Sequence, residues 1–276
     1  MSFFQVGRSP IMTNNSKVLA LKYRPQTFKD LIGHEEIATT IYNSIKNNSS
    51  ANAFLFTGIR GIGKTTFARI VAKALNCENT IEDMCEKKCN QCDPIANSNH
   101  IDILEMDAAS KTGVDDVREL IEFSRYPPTL AKFKIFIIDE VHMLSKQAFN
   151  ALLKTLEEPP KYLKFIFATT EVKKIPITVI SRCQRYNLSR VKSEELFNYL
   201  KNITLKEKKD VEDNAIKLIV KLSEGSVRDA LSLLDRATIS KNKNYLTFED
   251  AQKIFGYVNR SSYICLLYTS PSPRDP

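Results

Sequence analysis

The sequence has no apolar run close to the roughly 18 residues that a membrane-spanning helix needs, so nothing in it reads as a membrane segment. Its first sixteen residues carry one arginine and no continuous apolar stretch, which excludes a secretory signal there. No internal repeat or low-complexity tract is present. Histidine is scarce, at three, and no H-E-x-x-H occurs, so the helix-borne zinc-hydrolase pattern is missing. No Ser/His/Asp set suggests acyl transfer. No G-x-G-x-x-G follows a predicted strand, which removes the usual dinucleotide fingerprint. His34 and His142 stand near the ends of apolar elements and read as packed or capping residues rather than catalytic ones.

What is present is an ordinary soluble composition, 43% hydrophobic and 26% charged, on a 276-residue chain long enough for one large domain or two smaller ones. The net charge of +8 favours a polyanionic partner such as nucleic acid, although a lysine-rich solvated surface gives the same balance. Six cysteines occur, four of them between residues 77 and 92. Without a signal sequence this points to a reducing compartment, the cytoplasm, and to a metal site rather than disulfides.

Four short runs rich in β-branched and aromatic residues predict buried strands: "AFLFT" (53–57), "IDILEM" (101–106), "FKIFIID" (133–139) and "KFIFAT" (164–169). Helical patterns follow the first three: "KTTFARIVAKAL", "VDDVRELIEFS" and "SKQAFNALLKTLEE". The last has Ser145 as N-cap and stops at Pro159-Pro160. This alternation predicts an α/β fold with a doubly wound, mostly parallel sheet. After Ser189 the strand signals cease, and four amphipathic helices predict a small all-helical domain over 190–258. The expected organisation is an N-terminal extension (1–16), an α/β core (17–189) with an insert at 77–92, and the helical domain. Met12 is a candidate start that would make residues 1–11 an upstream extension. Residues 259–276 are expected to be a truncated remnant, and their closing "LLYTSPSPRDP" reads as a sequencing or cloning scar.

Two motifs carry chemistry. "GIRGIGKTT" (58–66) fits G-x-x-x-x-G-K-S/T after a strand and at the opening of a helix, the setting of a phosphate-binding loop. Gly58, Gly61 and Gly63 let the backbone curl with its N–H groups inward, and the helix adds its positive end. Lys64 then reaches the β- and γ-phosphates of ATP, and the Thr65 hydroxyl ligates Mg²⁺. "IFIIDE" (135–140) supplies Asp139 to hold the Mg²⁺ and Glu140 to polarise the attacking water, at the carboxyl edge of the sheet. Separately, Cys77-x7-Cys85-x3-Cys89-x2-Cys92 suits tetrahedral, structural Zn²⁺. A reduced empty cluster, or a Cys₃His site using His100, remains open.

The assembled set, "LALKYRPQTFKDLIGHEE", the loop at 58–66, the four-cysteine insert, "EMDAASKTGVDDVREL", "IDEVHMLSKQAFNALLKTLEEPP", "FATTEVKKIPITVISRC" and "EGSVRDALSLLDRA", resembles the gamma/tau subunits of bacterial DNA polymerase III over residues 17–260. That resemblance implies an AAA+ ATPase, a DNA-dependent ATP hydrolase that works in a hetero-oligomeric ring with other clamp-loader subunits. Such a ring loads the sliding clamp on primed DNA, using ATP and Mg²⁺. It also implies that Tyr23, Arg24 and Pro25 lie near the adenine, with Thr66 in the phosphate loop. Thr169 or Thr170 falls at the sensor 1 position, and Arg228 at sensor 2. Arg182 in "SRC" matches an arginine finger that acts in trans on a neighbour's ATP. Ser110, Lys111 and Thr112 match a loop that offers N–H groups to DNA phosphate. Two departures stand out: C-x3-C replaces the family's usual C-x2-C, and His34 replaces the usual Gln. The family's oligomerisation domain is expected to lie beyond this chain. The alternatives are a non-hydrolysing structural subunit of the delta-prime type, another AAA+ DNA-remodelling ATPase such as a branch-migration motor, and a phosphate-loop kinase.

Overall fold

The computed structural model describes residues 18–79, 89–239 and 245–256. Four strands form where the apolar runs predicted them: β1 (Ala53–Thr57), β2 (Ile103–Asp107), β3 (Lys134–Asp139) and β4 (Leu163–Thr169). A fifth, β5 (Gln184–Asn187), was not anticipated, because only Tyr186 of its four residues is buried. All five pair in parallel in the order β2-β3-β4-β1-β5. Strand β5 sits at an edge, where a strand needs only one apolar contact. Strands β1 and β4 have helices over both faces and are buried throughout, which is why they read as unbroken apolar runs.

Successive side chains of each strand go to opposite faces. Phe54 and Phe56 of β1, Ile135 and Ile137 of β3 and Ile166 of β4 enter one core, packed with α2 (Glu35–Lys46, after the short α1 at Leu19–Lys22) and α3 (Lys64–Asn76). Leu55, Phe136, Ile138, Phe165 and Phe167 enter the other. There they meet α5 (Val114–Ser124) and α6 (Lys146–Glu157), the helices after the short α4 (Cys92–Ala96). Helix α6 opens as expected, with Ser145 Oγ accepting from Ala148 N at 3.2 Å.

Strand β2 starts two residues later than predicted because Asp102, just ahead of it, has another task. Its buried carboxylate accepts from the backbone N–H groups of Thr129, Leu130 and Ala131 at 2.8, 2.7 and 2.9 Å. Burial pushes its pKa up, but these three bonds and the nearby His100 outweigh burial and hold it below the usual carboxylate value.

Past α7 (Ile177–Ile180) and β5, the chain forms α8 (Ser193–Lys206), α9 (Asp213–Ser223), α10 (Val227–Ile239) and α11 (Phe248–Phe255). These enclose their own cluster of Leu196, Leu200, Ile203, Ile216, Ile219, Leu231 and Leu234. Two-residue strands β6 (Asp210–Val211) and β7 (Tyr245–Leu246) pair within this unit, too short to leave a periodic signal. Leu19 of α1 also packs into this helical cluster, so the chain's early segment joins the lobe that comes last in sequence. No helix among the described residues is long and apolar enough to cross a membrane.

Candidate nucleotide site

The loop between β1 and α3 lies at the carboxyl edge of the sheet. Strands β3 and β4 end beside it, and the start of α10 closes over it. Together they line a cleft of about 1130 Å³, large enough for a nucleotide. Gly58 is required by proximity, since a Cβ there would fall 2.4 Å from the Leu188 carbonyl oxygen. Lys64 is buried, its Nζ donating to the carbonyls of Gly58 (3.1 Å) and Ile59 (3.0 Å). Burial lowers its pKa, and the carboxylates of Glu140 and Asp139 act against that shift. The ammonium therefore rests on its own loop, poised over the site where phosphates would sit.

Thr65 Oγ1 donates to Asp139 Oδ2 in a very short contact between α3 and β3. A hydroxyl beside a carboxylate is the hard oxygen donor set that suits Mg²⁺, and the geometry brings the two expected ligands together. Glu140 follows directly, with left-handed backbone (φ 46°), a conformation that costs an ordinary residue about 1–2 kcal/mol. Its own N–H bonds Asp139 Oδ1 at 2.9 Å, which holds the turn. Its Oε2 accepts from both the N–H and the hydroxyl of Thr170, each at 3.1 Å.

The two threonines at the end of β4 stand in different surroundings. Thr170 lines the cleft, whereas Thr169 is fully buried beneath it, bonded to His142 Nδ1 and to Glu171 N, each at 3.0 Å. Arg24 also lines the cleft and donates from Nε to Thr66 Oγ1 at 3.0 Å. Burial, then the charge of Arg69, lowers its pKa. Pro25 lines the cleft as well. Tyr23 borders it too, but its hydroxyl turns to Glu207 at the end of α8, in a very short bond. Burial, then that bond, pushes its pKa up to about 12. Arg228, at the start of α10, lines the opposite wall, and its N–H donates to the Gly61 carbonyl at 3.1 Å.

With this geometry in place, the comparisons with known proteins are direct. A family model described as "DNA polymerase III, delta subunit" matches residues 33–192, and one described as "DNA polymerase III clamp loader subunit, ATPase lid domain" matches 195–242. The gamma subunit of DNA polymerase III from Buchnera aphidicola subsp. Schizaphis graminum is 44% identical over 246 residues, 89% of this chain and 68% of that protein. The chain belongs to the gamma/tau family of DNA polymerase III subunits. The tau subunit from Escherichia coli is 45% identical over 224 residues, 81% of this chain but 35% of its own length. The chain thus spans about two thirds of the shorter gamma relatives and about a third of the long tau relatives. Among solved structures, the Holliday junction branch migration motor RuvB of Thermotoga maritima superposes with a TM-score of 0.62 at 19% identity, covering 85% of this chain and 72% of that one. That likeness carries the fold alone, a parallel α/β sheet followed by a helical unit.

The remaining expected residues of this gamma/tau chain lie outside the cleft. Arg182 is absent from the cleft wall; its Nη2 pairs with Glu157 Oε1 at 2.6 Å and its Nη1 donates to the Thr178 carbonyl at 2.5 Å. Cys183 beside it is a half-buried thiol whose pKa desolvation pushes up to about 12. Ser110, Lys111 and Thr112 form an exposed loop before α5. The first turn of that helix carries Asp115 and Asp116, whose charge opposes phosphate at that end. In the insert, the sulfurs of Cys77, Cys89 and Cys92 lie within 4.8 Å of one another, compatible with the spacing of about 3.8 Å between thiolates on one zinc. Burial raises the Cys89 pKa, but backbone hydrogen bonds from Glu78, Gln91 and Cys92 bring it below the usual thiol value, which favours the ligating form. Cys85 lies outside the described residues. His100 is not part of this cluster: its Nε2 pairs with Gln91 Oε1 at 2.6 Å and its Nδ1 accepts from Asp102 N at 3.0 Å.

Sequence reasoning missed two features. His142, set aside as a packed residue, reaches both Thr169 and Glu140; its place two residues after "DE" was the available signal. The contact between Gly61 and Ser226 of the lid had none, since the two are far apart in sequence.

Proposed function

We propose that this chain is the ATP-hydrolysing motor subunit of a sliding-clamp loader, acting in the cytoplasm within a hetero-oligomeric ring on primed DNA. The observation that carries the reading is the junction of α3, β3 and β4. There Thr65 meets Asp139, and Glu140 stands beside a threonine on the cleft wall. A scaffold without turnover has no need of that arrangement, and kinship with the gamma/tau subunits supplies the biological setting.

In this reading the loop of Gly58, Gly61 and Gly63, with Thr66, wraps the phosphates of ATP. Lys64 leaves its loop carbonyls to pair with the β- and γ-phosphate oxygens. Thr65 and Asp139 hold Mg²⁺, which when bound neutralises charge on those oxygens. Glu140 releases Thr170 and orients the attacking water, accepting its proton at a carboxylate oxygen. Thr170, freed in the same movement, is placed to feel the γ-phosphate, with Thr169 supporting it from below. Tyr23, Arg24 and Pro25 border the nucleotide from the early segment. Arg228 brings the lid onto it, and Arg182 serves the neighbour's site rather than its own. Ser110, Lys111 and Thr112 face DNA phosphate. Cys77, Cys85, Cys89 and Cys92 bind a structural Zn²⁺. The ATPase core spans 17–189 with the insert at 77–92, and the lid 190–258.

The match of the core to a delta-subunit model favours a second reading, a non-hydrolysing delta-prime-type scaffold. One experiment separates the two. In the full-length subunit assembled with its partners, Glu140→Gln is expected to keep ATP binding and abolish DNA-stimulated ATP hydrolysis. Brisk turnover by that variant overturns the assignment of Glu140, and absence of turnover in the parent protein favours the scaffold.

A further inference from the structure

The His142 ring has no task in the scheme above, yet only 6% of its side chain is exposed and it lies where β3 and β4 end. It stands in the tight turn Val141–Met143, directly after Glu140. Its Nδ1 lies 3.0 Å from Thr169 Oγ1 and 3.4 Å from Glu140 Oε2, and its Nε2 lies 3.7 Å from Glu171 Oε1. These neighbours are themselves joined: Glu171 N–H donates to Thr169 Oγ1, and Thr170 donates twice to Glu140 Oε2. One ring therefore touches the group assigned to activate water and the strand end assigned to sense the γ-phosphate.

The neighbours also fix the ring's proton. Nδ1 lies within hydrogen-bond reach of Thr169 Oγ1 and Glu140 Oε2, whereas the carboxylate facing Nε2 is 3.7 Å away, beyond a direct hydrogen bond, so we assign the proton to Nδ1. Thr169 Oγ1 then receives two donors, from His142 and from Glu171, and is pinned as a support under Thr170. A histidine filling space alone could satisfy its nitrogens on nearby backbone carbonyls. This one spends Nδ1 on a side chain of the adjacent strand and on Glu140.

We propose that His142 is a positioning residue for ATP hydrolysis, holding the Glu140 carboxylate in register with the end of β4. The inference rests on Glu140 being the water-activating group. His142 borders the same cleft, but its polar contacts go to Thr169, Glu140 and Glu171 rather than to the phosphate loop, so its loss is expected to act on the chemical step more than on nucleotide affinity.

The test is made in the full-length subunit assembled with its partners, with DNA-stimulated ATP hydrolysis and binding of a fluorescent ATP analogue measured separately. His142→Phe keeps the ring volume and removes both nitrogens. It is expected to lower kcat on the order of 10- to 100-fold, the cost of a misplaced catalytic group, with analogue affinity changed by less than about twofold. His142→Asn places an amide where Nδ1 stood and is expected to recover most of kcat. His142→Gln reaches only the position of Nε2 and is expected not to. A Phe variant that turns over like the parent, an affinity loss matching the kcat loss, or equal recovery by Gln and Asn each overturns the proposal. If the Phe variant does not fold, the Asn and Gln pair decides. Glu140→Gln run alongside keeps the two assignments apart: if it is inactive while His142→Phe is active, only the role of His142 falls. If Glu140→Gln itself turns over, the assignment of Glu140 falls and this one with it.

Discussion

Replacing Gly61 by alanine tests whether the lid rests on the phosphate loop. Position 61 is a variable one in G-x-x-x-x-G-K-S/T, so the motif does not call for glycine there. The tertiary structure does, for two reasons. The backbone is left-handed at φ 78°, and a Cβ would fall 2.2 Å from Ser226 Oγ and 3.3 Å from Asp229 Oδ2. Holding alanine in that conformation costs about 1–2 kcal/mol. The clash is relieved if the Ser226 hydroxyl turns away. That gives up its bond from Asp229 N, 3.2 Å long, at about 1 kcal/mol for a lost helix N-cap. Gly61→Ala is therefore expected to destabilise the chain by about 2–3 kcal/mol in urea unfolding. Ser226→Ala alone loses the same cap and is expected to cost about 1 kcal/mol. In the double variant the hydroxyl is already gone, and the new methyl group at position 61 adds only its backbone cost. The double is then no less stable than Gly61→Ala alone, a coupling of about 1 kcal/mol. If the two changes instead add to within about 0.5 kcal/mol, as distant sites do, lid and loop do not meet here and the reasoning fails.

Three further outcomes are expected. Arg182→Ala mixed with parent subunits should bind ATP normally yet slow the neighbour's hydrolysis by about 10³-fold or more; an equal loss in the isolated subunit's own turnover contradicts action in trans. Asp102→Asn should lose about 2–3 kcal/mol at neutral pH, since an amide cannot accept from all three N–H groups. Because the folded-state pKa of Asp102 is depressed, its contribution is complete above the ordinary value of 3.8 and is lost as pH falls below it. The gap between parent and variant in urea unfolding should therefore narrow below that pH, and a gap independent of pH refutes the account. Metal analysis of the purified chain should find about one zinc per chain, falling sharply in Cys89→Ser; an unchanged content places the metal elsewhere.

How far the sequence could be read depended on where each residue's partners lie. Strands β1 and β4 were legible almost to the residue because both faces are buried, so every position had to be apolar. Strand β5 was invisible because an edge strand needs one apolar side chain, and "QRYN" supplies only Tyr186. "IDILEM" placed β2 too early because Ile101 is exposed and Asp102 is committed to a loop almost thirty residues away. The phosphate loop and the "DE" pair were legible because each is a contiguous stretch held by one strand end. The different settings of Thr169 and Thr170 were not, because which of two neighbouring residues lines the cleft is decided by the strand end they sit on.

The sequence alone determined the layered α/β core, the helical lid, the phosphate loop with its carboxylate pair, and kinship with gamma/tau subunits. These follow from periodicity and from motifs whose chemistry is local. Only the tertiary structure decided that α1 joins the lid cluster and that Tyr23 turns to Glu207. It alone placed His142 between Glu140 and Thr169, and made Gly61 a contact for Ser226. Each of these is a meeting of segments distant in the chain or in adjacent strands. Periodicity records which face of an element is buried, and carries no record of what the buried face meets.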